Sequence, residues 1–286
     1  MFFHSIGATA VNTDKPLFDS SGSKSIAAVP STVLPIRSIA LVANNADSTK
    51  AVLPERTGSD KGNGGVIERA AMIDSIRNAN GKKNVLLLHA GDFSQGTSYF
   101  TVLKGDLEVD IINALKYDCI TIGNHEFDND MEELARRLKK IKCPIVCANY
   151  DWGSEKPGKY IQPYTIIKRG GKKIGIIGML VDIKTCVAAP IANKITKLDN
   201  TETLNKYAEI LKVKEQCDLV ICLSHLGFDV DMRLIPNIRN VDLFVGGHSH
   251  TTLKDIKYAT DLDGNQIPVV QNGCYGLSLG EITYKF

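Results

Sequence analysis

Cys119-Ile120-Thr121-Ile122-Gly123-Asn124-His125-Glu126-Phe127-Asp128 joins a short apolar run to a block of polar side chains. An apolar run that breaks at glycine reads as a buried strand ending in a loop. Ligands of open α/β sheets bind just beyond the carboxyl ends of such strands. Asn124 offers an amide oxygen to a metal. His125 can serve a proton or a developing negative charge, and Asp128 is close enough in sequence to orient its imidazole.

The same pattern recurs along the chain. A strand expected over 84–89 runs into Ala90-Gly91-Asp92-Phe93-Ser94-Gln95-Gly96-Thr97. Strands over 219–223 and 241–245 end at Ser224-His225-Leu226-Gly227 and at Gly246-Gly247-His248-Ser249-His250. Further strands are expected over 36–43 and 144–148, in the tail from 267, and in a hairpin of 164–168 with 173–179 around Arg169-Gly170-Gly171-Lys172. Helical spacing covers 64–80, 107–116, 130–141 and 203–216. Strands that alternate with helices and close on hairpins imply an α/β fold, a mixed sheet system covered by helices.

The 286 residues are 43% hydrophobic, enough for a substantial core. The net charge of +2 is nearly balanced. No basic stripe with interleaved aromatics is present, which argues against a nucleic-acid polymer as partner. No apolar stretch is long enough for a transmembrane segment. Residues 1–35 are rich in Ser, Ala, Thr and Pro and lack the basic start and apolar core of a signal peptide. They read as a poorly ordered segment outside the fold, with 36–286 as one domain. The seven cysteines are scattered, odd in number and without a CxxC pair, so no disulfide framework or zinc ribbon is indicated. The basic run Arg136-Arg137-Leu138-Lys139-Lys140-Ile141-Lys142 reads as a solvated helix face.

The strand ends therefore carry Asp92, Asn124, His225, His248 and His250 as candidate metal ligands. Four of the six histidines fall on these loops. A carboxylate, an amide and imidazoles without thiolate form a site suited to Zn, Mn, Fe or Ni. A carboxylate such as Asp92 can bridge two ions, and two divalent ions about 3.5–4 Å apart form a clamp for phosphate-ester hydrolysis. His125 diverges from its neighbour Asn124. Its better role is to stabilise a phosphoryl group or protonate a leaving oxygen, held in one tautomer by Asp128.

In order and spacing, these blocks resemble the calcineurin-like metallophosphoesterases, and within them the amino-terminal catalytic domain of bacterial 5'-nucleotidases and UDP-sugar hydrolases. The resemblance runs from about residue 36 to the carboxyl end. It implies a four-layer α/β/β/α sandwich and two divalent metal ions (Mn, Zn, Mg, Co or Fe). It implies that Asp92 bridges both ions, that Asn124, His225 and His248 complete one site, and that His250 serves the other. His125 and Asp128 would be the catalytic dyad, with Asn124 and His125 touching substrate. The implied activity is dephosphorylation of nucleotides or other phosphomonoesters by a metal-activated hydroxide. The implied location is the periplasm or cell surface, although no signal peptide is visible.

Two departures stand out. The family opens with Asp-x-His after the first strand, whereas this chain has Asn45 and Asp47 at those places. Formal charge is kept but the donors become two oxygens, which favours harder ions such as Mg or Mn. Three readings stay open. The site holds a metal more weakly or of another kind; or it is largely empty and the chain is a catalytically weakened or inactive binding subunit; or the pairing of these residues with the motif is wrong. The second departure is the family's carboxyl-terminal domain, which stacks the nucleoside base. The chain stops at Phe286, so a separate chain of that domain type is the expected partner.

Overall fold

The computed structural model describes residues 6–11, 38–44, 62, 64–95 and 98–286. Two sheets dominate them. In the larger, Ser38–Asn44, Val85–His89, Cys119–Thr121, Ile145–Val146 and Ile161–Gln162 run parallel in that spatial order. Leu279–Lys285 pairs antiparallel with the outer side of Ser38–Asn44. In the second sheet, Lys172–Leu180, Leu219–His225, Leu243–Val245 and Gln266–Val270 are parallel. The hairpin strand Tyr164–Arg169 closes one edge and Lys257–Thr260 the other.

Side-chain alternation decides the layering. Leu86 and Leu88 pack with Ile174, Ile176, Ile221 and Leu223 between the sheets. Their neighbours Val85 and Leu87 pack the other way, onto Ile73, Val109, Ile112 and Leu134 of the helices. In the second sheet Ile177, Val220 and Cys222 turn outward to Leu204, Ala208 and Leu211. Strands buried on both faces read as continuous apolar runs, which is why Val85–His89 and Leu219–His225 carry so little polarity. The result is the expected four-layer α/β/β/α sandwich. At Gly178 a Cβ would strike the backbone of Val146 and Cys147, so this glycine lets strands of the two sheets touch.

The structure adds to the sequence reading and corrects it. Ile6–Val11 lies within the segment expected to fall outside the fold, yet pairs antiparallel with Leu279–Lys285. That strand otherwise presents an unpaired edge, and an extended segment can satisfy it. The basic run is not wholly solvated: Arg137 and Leu138 are buried, while Lys139, Lys140 and Lys142 line the surface. Ser98–Leu103 and Phe228–Leu234 are helices that the periodicity did not mark. The helix from Asn200 is α-helical to Glu209 and continues as a wider π turn over Ile210–Lys214. All seven cysteines are free. Among the described residues, no helix is long and apolar enough to cross a membrane.

Candidate metal centre

Four parallel strands, two from each sheet, deliver the candidate donors at their carboxyl ends. Asp92 follows Val85–His89, and Asn124 opens a short 3₁₀ turn, Asn124–Phe127, after Cys119–Thr121. His225 ends Leu219–His225, and His248 follows Leu243–Val245. Single ligand atoms of Asp92, His225 and His248 all lie within 4.8 Å of one another.

Glycine makes the approach possible. A Cβ at Gly123 would collide with the Asp92 carboxylate and come within 2.5 Å of His225 Nε2. At Gly91 it would lie 2.7 Å from His225 Nδ1. Asp92, His248 and His250 have φ of 54°, 70° and 55°. Left-handed backbone at residues other than glycine is unfavourable and concentrates at functional sites.

The hydrogen-bond pattern tests whether a cation fits. His225 Nδ1 lies 2.6 Å from Ala90 O, an atom that can only accept, so Nδ1 carries the proton. Nε2 then faces Asp92 Oδ2 at 2.9 Å and Asn124 Oδ1 at 3.3 Å. His248 Nδ1 lies 2.9 Å from the same Asn124 oxygen. A carboxylate, an amide oxygen and two imidazole nitrogens directed at one another need a positive centre between them. A proton satisfies one pair of these atoms, whereas a divalent ion satisfies all of them at once, so the donor set fits a metal.

Electrostatics agree. Burial raises the Asp92 pKa, but the adjacent His225 ring outweighs it and holds the carboxyl ionised, below its usual range. Burial pulls His225 down, and Asp92 more than reverses that. Burial, with His225 next in size, takes His248 down to about 4, leaving a neutral imidazole able to ligate.

His125 sits one residue past Asn124 with its ring about a quarter exposed. Its Nδ1 is 2.9 Å from Asp128 Oδ2, and its backbone N–H donates to Asp92 Oδ1 at 2.8 Å. The expected dyad is therefore in contact, beside the donor cluster. His250 is exposed, with its ring edge-on to Tyr275 at 5.7 Å between centroids, and is not in the Asp92–His225–His248 group. Asn45 and Asp47 lie outside the described residues. His89 is buried: its Nδ1 accepts the Gly91 N–H at 3.2 Å, and its ring meets Tyr117 edge-on.

Three supporting groups escaped the sequence reading. Glu126, fully buried, accepts backbone N–H bonds from Asp92, Ser94 and Gly123. Burial, then the Asp92 charge, push its pKa up to about 7 against the Gly123 N–H and Arg137. Arg137 donates to Ser94 Oγ and, at 2.5 Å, to Glu126 O. Asp231 accepts from Ser224 Oγ at 2.6 Å, beside His225. A buried acid inside a helical turn and an arginine inside a basic run look like ordinary surface charge in one dimension. The only available signal was the apolar company of Glu126 and Arg137, with Phe127 and Leu138 beside them.

Comparison with known proteins gives a consistent result. Residues 59–252 match the family model of calcineurin-like phosphoesterases. Human 5'-nucleotidase is 36% identical over 258 residues, covering 84% of this chain and 43% of the human protein. Snake venom 5'-nucleotidase of Naja atra is 37% identical, covering 81% of this chain and 48% of the relative. The chain thus spans about half the length of the curated relatives it matches. Among solved structures, the 5'-nucleotidase precursor of Thermus thermophilus superposes with a TM-score of 0.78 at 30% identity, over 87% of this chain and 51% of that one. The NAD nucleotidase of Haemophilus influenzae follows at 0.77 and 26%, over 87% and 47%.

Proposed function

This chain belongs to the calcineurin-like phosphoesterases, and from that premise we propose that it is a metal-dependent hydrolase of the 5'-nucleotidase type, removing phosphate from nucleotides. The observation that carries the reading is the meeting of Asp92, Asn124, His225 and His248 beside the His125–Asp128 pair.

Asp92, Asn124, His225 and His248 would hold one divalent ion. Asp92 would share a second with His250 and, in this proposal, with Asn45 and Asp47. When bound, the ions supply Lewis acidity and neutralise charge on the phosphoryl oxygens during in-line displacement. The protein does the rest. Asp128 accepts from Nδ1–H and orients the ring; with a second proton on Nε2, as imidazolium, His125 would donate to a phosphoryl oxygen or pass that proton to the departing oxygen. The backbone bond from His125 to Asp92 keeps that ring in register with the donors.

Nucleoside recognition is assigned to a further domain, in this protein or on a separate chain, since the relatives extend well beyond the matched half. A periplasmic or surface location follows from the family resemblance alone. Turnover of AMP and of para-nitrophenyl phosphate, with Mn, Zn, Co or Mg added singly, tests the reading. Hydrolysis that a chelator abolishes and metal restores is expected. Absence of turnover of both substrates with every metal would refute it.

A further inference from the structure

Glu126 and Arg137 have no part in the reaction as described, yet both are fully buried at its edge. Glu126 Oε2 accepts from Asp92 N at 2.9 Å and from Gly123 N at 2.6 Å, and Oε1 accepts from Ser94 N at 2.9 Å. One carboxylate therefore ties the loop after Val85–His89 to the loop after Cys119–Thr121. Arg137, arriving from the helix Met131–Leu138, grips the same two loops through Ser94 Oγ and Glu126 O. Its stem crosses Gly105, where a Cβ would stand 2.6 Å from Arg137 Cδ. The residue held most directly, Asp92, has φ of 54°, in the left-handed region that residues other than glycine adopt uncommonly.

We propose that Glu126 and Arg137 are positioning residues that lock the two loops together and hold Asp92 in the left-handed pose that aims its carboxylate at the metal donors. The proposal rests on the reading of Asp92 as a ligand. Loss of an outer partner that orients a ligand typically costs about 10–100-fold in metal affinity.

Glu126→Gln tests it. The amide keeps the shape but has one acceptor oxygen, so it cannot receive both the Oε1 and the Oε2 donors, and its NH₂ faces a backbone N–H. Two readouts are taken on the full chain: amide hydrogen exchange by NMR without metal, and Mn²⁺ titration by calorimetry. Exchange at Asp92, Ser94 or Gly123 should quicken at least about tenfold, while the amides of Leu219–His225 stay as in the wild type. Mn²⁺ affinity should fall roughly 10–100-fold. A purely structural loss would speed exchange throughout. Arg137→Lys is the second variant should Glu126→Gln not fold. Its single ammonium cannot span both Ser94 Oγ and Glu126 O, and the same local quickening is expected. Wild-type exchange at the three amides together with Mn²⁺ affinity within about twofold would overturn the proposal. Should the wild-type chain bind no Mn²⁺, the titration is repeated with Zn²⁺, Co²⁺ and Mg²⁺; if it binds none of them, the proposed function fails and the clamp is judged on exchange alone.

Discussion

In the proposed function His125 and Asp128 divide labour with the donor cluster, and the division can be tested. His125→Ala should lower kcat by roughly 10²–10⁴-fold, the usual worth of a positioned proton donor. Metal content should stay at the wild-type level, because the bond from His125 to Asp92 is made by its backbone N–H, which the substitution keeps. Elemental analysis beside the assay checks both halves, and loss of metal would transfer His125 to the ligands. Asp231 offers a second residue-level test. Its carboxyl is fully buried, and burial pushes the pKa from 3.8 up to about 7 against the Ser224 hydroxyl. An unfolded Asp231 loses its proton above 3.8 while the folded one keeps it, so the folded state binds more protons in that interval. Its contribution to stability should fall as pH rises from about 4 to about 7 and then level off. Denaturant midpoints compared across this range should show Asp231→Asn gaining on the wild type as pH rises. Single residues were the least legible scale for support and the most legible for chemistry. Asp92, Asn124 and the histidines announce themselves because nothing apolar needs them at a strand end. Glu126, Arg137 and Asp231 do not, because burial of a charge is settled by contacts from distant segments.

Elements were legible where periodicity is long. The parallel strands and the helix Val66–Asn80 stand close to where alternation and helical spacing put them. Short elements held by tertiary contact were not: Ser98–Leu103, and the strand Lys257–Thr260, which owes its place to Gln266–Val270. Asn149 shows how one side chain ties elements together. Fully buried, it accepts the Leu180 N–H at 2.9 Å, donates to Leu180 O at 2.7 Å and reaches Asn200 Oδ1 at 2.8 Å. It thereby pins the end of Lys172–Leu180 to the start of the helix Asn200–Glu209. Asn149→Ala leaves both Leu180 groups unsatisfied in the interior and should cost about 3 kcal/mol. A urea midpoint unchanged from the wild type would contradict that role.

At the scale of the whole molecule, the proposed function depends on two sheets stacked so that their carboxyl edges coincide. The larger sheet supplies Asp92 and Asn124, the second supplies His225 and His248, and neither alone makes a metal site. That stacking was legible only through the family resemblance, since alternation within a strand does not say which sheet lies opposite. The close packing at Gly178 and the shared core of Leu86, Leu88, Ile176 and Ile221 supply the physical reason. The most direct measurement is anomalous diffraction at the manganese edge from crystals grown with Mn²⁺. A peak enclosed by the side chains of Asp92, Asn124, His225 and His248 is predicted. Manganese bound elsewhere, with those four side chains still bonded only to one another, would contradict the account.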